Sequence, residues 1–281
     1  MFADASAPAP DELPAWSLPA DEVGEISLPS GWPHELSSEW AWGEADGAGT
    51  RVCVLDSGIE RDHPQVGEIH GAVVASVDDE GEVVVEPDTE GDLTGHGTAC
   101  AGIIRAFAPA CEIVSARVLG AGLKGTGPVL LGALLWAVEQ GFHVVNLSLS
   151  TSKRDYLAML HELTDRAYFR RTVLVAAAHN MAVQSYPWRF SSVVSVGSHA
   201  GSDPYEFFAN PSPPVEFFAR GVDVELPWRD GGQIVGTGNS FAAPHISGIC
   251  ALILSKHPEL TPFQLKSVLH LTAANVGAGG E

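Results

Sequence analysis

The chain has 281 residues, a length ordinary for one large α/β domain, and 45% of them are hydrophobic, enough to cover both faces of a central sheet. Lys and Arg number 15 against 35 Asp and Glu, and the resulting net charge of −20 argues against nucleic acid or an anionic membrane surface as partner. The residues up to Leu13 carry Asp4, Asp11 and Glu12 but no basic residue, so no secretory signal is visible. The longest apolar run, Val129–Val138, is well short of the ~20 residues that cross a bilayer.

Residues 1–33 are rich in Pro, Ala and acidic residues, and their prolines break any helix or central strand, so they read as an N-terminal arm. Apolar positions at Leu18, Ile26, Leu28 and Trp32 leave two readings open, a free arm or one packed over the domain through part of Asp21–Pro33. The folded domain is expected over 34–275, opening with a short helix at 36–44, and a Gly-rich tail over 276–281 closes the chain. From Arg51 onward strands and helices alternate: strand 51–55, helix 97–106, strand 112–118, helix 128–140, strand 143–149, helix 156–169 and strand 172–177. Shorter strands follow at 193–197, 215–218 and 222–226, then helices at 240–256 and 262–271, the last capped by Thr261 with Pro262 in its first turn. Continuous apolar runs such as Val173-Leu174-Val175-Ala176-Ala177 suit parallel strands buried on both faces. The rhythm predicts an α/β fold, a doubly wound and mostly parallel central sheet with helices on both faces. Cys53, Cys100, Cys111 and Cys250 lack the close spacing of a zinc site or redox pair and read as reduced core residues of a cytoplasmic protein.

Three motifs carry chemistry. Asp56 ends the apolar run Val52-Cys53-Val54-Leu55 and precedes Ser57-Gly58, at the carboxyl end of a buried strand where open α/β sheets build their sites. His96 lies in Gly95-His96-Gly97-Thr98 at the start of a helix, and Ser240 lies in Gly238-Asn239-Ser240-Phe241-Ala242-Ala243-Pro244-His245 at the start of the last buried helix. There, free backbone N–H groups and the helix dipole favour negative charge. Taken singly, the three have plain structural explanations: a turn-capping Asp, a histidine at a helix end and a Ser N-cap. Taken together, Asp56, His96 and Ser240 follow the chain order of the triad in subtilisin.

On these motifs, together with His63-Pro64 downstream of the first, the sequence from about Trp42 to Leu271 closely resembles the subtilisin-like serine peptidases, or subtilases. The resemblance implies a subtilisin-like fold, no cofactor, and a serine endopeptidase with Ser240 as nucleophile, His96 as general base and Asp56 as its orienting carboxylate. The side-chain amide of Asn180, in Ala176-Ala177-Ala178-His179-Asn180, would join the Ser240 N–H in stabilising the oxyanion. Substrate is expected as an extended protein or peptide strand between Gly125-Thr126-Gly127 and Ser148-Leu149-Ser150, with Lys153 and Arg154 placed after the second edge.

Departures from the family pattern sharpen the expectation. Asn239 replaces the usual Thr before the nucleophile, with an amide still able to donate a hydrogen bond. His179 replaces a small Gly, and Trp188 falls where the family often has Gly at the floor of its specificity pocket, implying a shallow or reshaped pocket unless the loop shifts. The family's calcium loop has no room between the helix after His96 and the strand at Glu112, and its carboxylate after His-Pro corresponds to Gln65, so no metal ligands are expected. The expected activity is therefore that of a selective intracellular peptidase acting on proteins or precursor peptides. A peptide ligase or macrocyclase using the same acyl-enzyme, and a catalytically silent peptide-binding scaffold, are the alternatives.

Overall fold

The computed structural model describes residues 36–276; the expected arm over 1–33 and the tail from Gly277 lie outside the described residues. Strand β1 (Arg51–Asp56) lies inside a nine-stranded sheet and pairs in parallel with β4 (Glu112–Arg117) and β5 (Val144–Leu147). Beyond β4 come parallel β2 (Gly71–Val77) and then antiparallel β3 (Val83–Pro87) at the edge. Beyond β5 come β6 (Val173–Ala177), β7 (Val194–His199) and β9 (Phe217–Arg220), all parallel, and then antiparallel β8 (Phe207–Ala209). A separate hairpin joins β10 (Val224–Trp228) to β11 (Gly232–Gly236).

Alternation along β1 sorts the two faces. Cys53 and Leu55 join the apolar cluster built with α3 (Gly127–Glu139) and α4 (Leu157–Phe169). Asp56, one residue on from Leu55, therefore turns to the opposite face. Helices α2 (His96–Phe107) and α5 (Asn239–Lys256) pack together on that face. Helix α5 is buried without interruption from Phe241 to Leu254, as an all-round apolar helix must be. The expected opening helix is only a single turn, α1 (Ser38–Ala41), and α6 (Pro262–Thr272) starts with a full capping box from Thr261 and Gln264.

The chain builds outward from β1 on the β4 side, and α3 then carries it back across β1 to β5. Such a reversal of strand order leaves a crevice at the carboxyl ends of the flanking strands, here those of β1 and β5.

Candidate active site

At that crevice Asp56 is fully buried, and its carboxylate oxygens lie 2.8 and 2.9 Å from His96 Nδ1. A carboxylate only accepts, so Nδ1 donates, and in the neutral ring Nε2 is the lone-pair nitrogen. The Ser57 N–H donates to Asp56 Oδ1 at 2.8 Å, fixing the carboxylate against the turn. Burial would by itself lower the His96 imidazole, but the adjacent Asp56 charge prevails and raises it above its ordinary value. The histidine opens α2 because Gly95 takes a left-handed φ of 99° at the N-cap. Gly97 then lets the helix pass close against Gly58 and Asp56, where a Cβ would collide with the Gly58 carbonyl. Asp92 ties the approach down, accepting from Ser57 Oγ, Thr94 N, Gly95 N, Thr98 N and Thr98 Oγ1.

Ser240 stands in the first turn of α5, where backbone N–H groups have no helical partner. A Cβ built on Gly238 would lie 3.2 Å from Ser240 Oγ and 3.4 Å from Asn180 Nδ2, so hydroxyl and amide face the same small space. Asn180 Oδ1 accepts from the Asn239 N–H at 2.9 Å, which turns Nδ2 outward. Among the described residues neither Asn180 Nδ2 nor the Ser240 N–H has a hydrogen-bond partner. Two unspent donors beside a hydroxyl and an oriented imidazole are the parts needed for acyl transfer through a tetrahedral oxyanion.

A groove of about 510 Å³ leads away from this point, and its lining includes His96, Ser240, Asn180 and His179 together with Gly125, Thr126, Gly127, Ser148, Leu149 and Ser150. Matching this geometry, the Subtilase family profile covers residues 47–281. The chain belongs to the subtilase family. It is 31% identical to subtilisin DY of Bacillus licheniformis, over 82% of this chain and 86% of that one. It is 32% identical to subtilisin BL of Lederbergia lenta, over 83% and 86%. It spans 60% of the M-protease of Shouchella clausii, at 32% identity over 82% of its own length. Among solved structures, a cold adapted subtilisin-like serine proteinase superposes with a TM-score of 0.66 at 26% identity, covering 91% of this chain and 93% of that one. This subtilase is accordingly a serine endopeptidase, a hydrolase.

One reading of the sequence needs correction. Trp188 does not line the groove: it is buried in the core shared with α3 and α4, and its indole N–H is satisfied by Ser185 Oγ at 2.8 Å. Its apolar ring therefore packs behind the wall and does not fill the pocket. The Asn239 amide does donate, as expected, and both of its ends hold the scaffold. Its Oδ1 accepts from Ser198 N and Oγ at 2.9 and 2.8 Å, and its Nδ2 donates to the Ala178 and His179 carbonyls. It is a strut joining the nucleophile helix to β7 and to the loop that carries Asn180.

The structure also brings in residues that motif matching passes over. Pro244 has no N–H to give the Ser240 carbonyl four residues earlier. That carbonyl accepts instead from Ser148 Oγ at 2.7 Å, and the Cys100 thiol lies 3.6 Å away. Asn146 Nδ2 supports Ser148 Oγ at 3.0 Å, and Ser247 Oγ donates to Asn146 Oδ1 at 2.9 Å. A polar Asn inside the apolar run Val144-Val145-Asn146-Leu147, and a Pro one turn after the Ser, are the sequence signals of this network.

Proposed function

We propose that this endopeptidase cuts extended protein or peptide strands through a Ser240 acyl-enzyme and acts selectively, in a reducing intracellular compartment. Ser240 Oγ attacks the scissile carbonyl while His96 Nε2 takes its proton, and the imidazolium then protonates the departing amine. Asp56 holds the ring with Nδ1 as donor and offsets the positive charge that forms. The Ser240 N–H and Asn180 Nδ2 receive the oxyanion, and water then resolves the ester by the same proton route in reverse. Substrate lies as an added strand between Gly125–Gly127 and Ser148–Ser150, with main-chain bonds for grip and side-chain contacts for choice.

The observation that carries the mechanism is the His96 Nδ1–H donated to both Asp56 oxygens, beside a serine and an amide that share the space over Gly238. What supports a reducing compartment is four unpaired, buried cysteines. The test is fluorophosphonate labelling, with the adduct mapped by mass spectrometry, alongside cleavage of a diverse peptide mixture. Labelling at Ser240 and hydrolysed products are expected, both lost in a folded Ser240→Ala protein. Normal turnover by that variant would sink the mechanism. Cyclised products, lighter than hydrolysis products by one water, would sink hydrolysis as the outcome.

A further inference from the structure

The groove that leads from Ser240 carries two lysines in a strongly acidic molecule. Lys124 and Lys153 line it together with His96 and His179, and among the described residues no carboxylate does, although the chain carries 35 Asp and Glu. The chain has four lysines in all. Lys256 is spent on the Glu39 carbonyl at 2.7 Å, and Lys266 on the Ser191 carbonyl and the Glu216 carboxylate, each at 2.7 Å. Lys124 and Lys153 are exposed, and among the described residues their ammonium groups have neither an ion-pair nor a hydrogen-bond partner. Asp155, two residues beyond Lys153, lies outside the groove lining.

Both lysines stand on tethered backbone. The turn before Lys124 is closed by Gly120 N–H to the Lys124 carbonyl at 3.0 Å and by Leu123 N–H to the Gly120 carbonyl at 2.9 Å. Lys153 follows Thr151, which is bridged to Tyr186, and the Lys153 N–H donates to Thr151 Oγ1 at 3.2 Å. Lys124 directly precedes one of the two edges proposed to flank the substrate, and Lys153 lies three residues beyond the other.

We propose that Lys124 and Lys153 form an anionic-side-chain subsite that selects substrates with an Asp or Glu remote from the scissile bond. This rests on the strand-binding peptidase reading above. A contact away from the reacting atoms strengthens ground state and transition state alike, so the preference belongs in KM. Solvent-exposed pairs are weak and screened, so a gain of about threefold to tenfold in kcat/KM is expected, shrinking as salt is raised.

The experiment scans a single Glu, with Gln as its neutral partner, through each position of a peptide that the full chain already cleaves. One position should show the preference. In the Lys124→Gln/Lys153→Gln protein the Glu-to-Gln ratio at that position should fall to about one, and in Lys124→Glu/Lys153→Glu it should invert. A flat scan, or a preference that survives the double Gln variant, overturns the subsite while leaving the peptidase intact. No cleavage of any neutral peptide, with no probe label on Ser240, would instead overturn the peptidase reading and the subsite with it.

Discussion

Asn180 is held by its oxygen and left free at its nitrogen, which is the form an oxyanion donor needs before substrate arrives. Asn180→Ala should lower kcat by about 10²–10³, the range established for this donor in subtilisin itself, while KM barely moves. Kinetics that changed KM alone would contradict the role. Asn239 acts one step back. Asn239→Ala leaves Ser198 and the Ala178 carbonyl unpaired, at about 1–3 kcal/mol for each buried group orphaned, and loosens the loop that aims Asn180. Both melting temperature and kcat should fall; a variant that melts lower with unchanged kcat would make Asn239 structural only. The charge state of His96 sets the pH response. The base must be neutral to accept the Ser240 proton, and the Asp56 charge holds a proton on the ring. Activity should therefore rise with pH along an acid limb centred above the ~6.5 of a free imidazole. A kcat/KM profile already flat below that value would refute the assignment.

At the scale of elements, the nucleophile is anchored by a strand and a helix whose partnership depends on a missing hydrogen bond. Pro244 withholds its N–H, and Ser148 from the end of β5 supplies the donor to the Ser240 carbonyl. Ser148→Ala should cost about 1–3 kcal/mol and reduce kcat, because it leaves that carbonyl to the weak Cys100 thiol. Adding Pro244→Ala should recover part of the loss by restoring a helical N–H to the same oxygen. A double-mutant cycle in stability and kcat that shows no coupling would rule the partnership out. Such cross-element bonds explain what was legible beforehand and what was not. Strands buried at every residue, such as β6, stood out as apolar runs. The half-exposed β2 and β3, with Gly, Ala and Glu among their valines, did not. Asp56, His96 and Ser240 were legible because each sits in a local motif. The strut role of Asn239 was not, since its partners lie 41 and 61 positions away in the chain. Trp188 was misplaced because bulk alone does not tell which way a ring turns.

On the scale of the whole molecule, one arginine ties together two loops that are distant in the chain. Helix α2 runs unbroken from His96 to Phe107 and reaches β4 at Glu112. Its Arg105 guanidinium donates to the carbonyls of Val66, Glu68, Pro109 and Cys111 at 2.9, 2.8, 2.8 and 2.8 Å. Calcium takes about 6–8 oxygens, and a fixed positive group already engages these four carbonyls. Gln65, in the same surface cleft, offers a neutral amide and no carboxylate. The guanidinium therefore ties the loop after His63 to the α2–β4 turn with donors that dilution or chelation cannot remove. Chelating divalent ions should leave activity and melting temperature where they were. Arg105→Met should cost about 2–4 kcal/mol, because one residue satisfies four carbonyls with charge-assisted bonds. For a chain of this size that is a fall of roughly 5–15 °C in melting temperature. Arg105→Lys should recover only a minor part, since a single ammonium cannot span the same fork of acceptors. A large stability loss on chelation, reversed by micromolar calcium, would show that a metal rather than Arg105 holds this corner together.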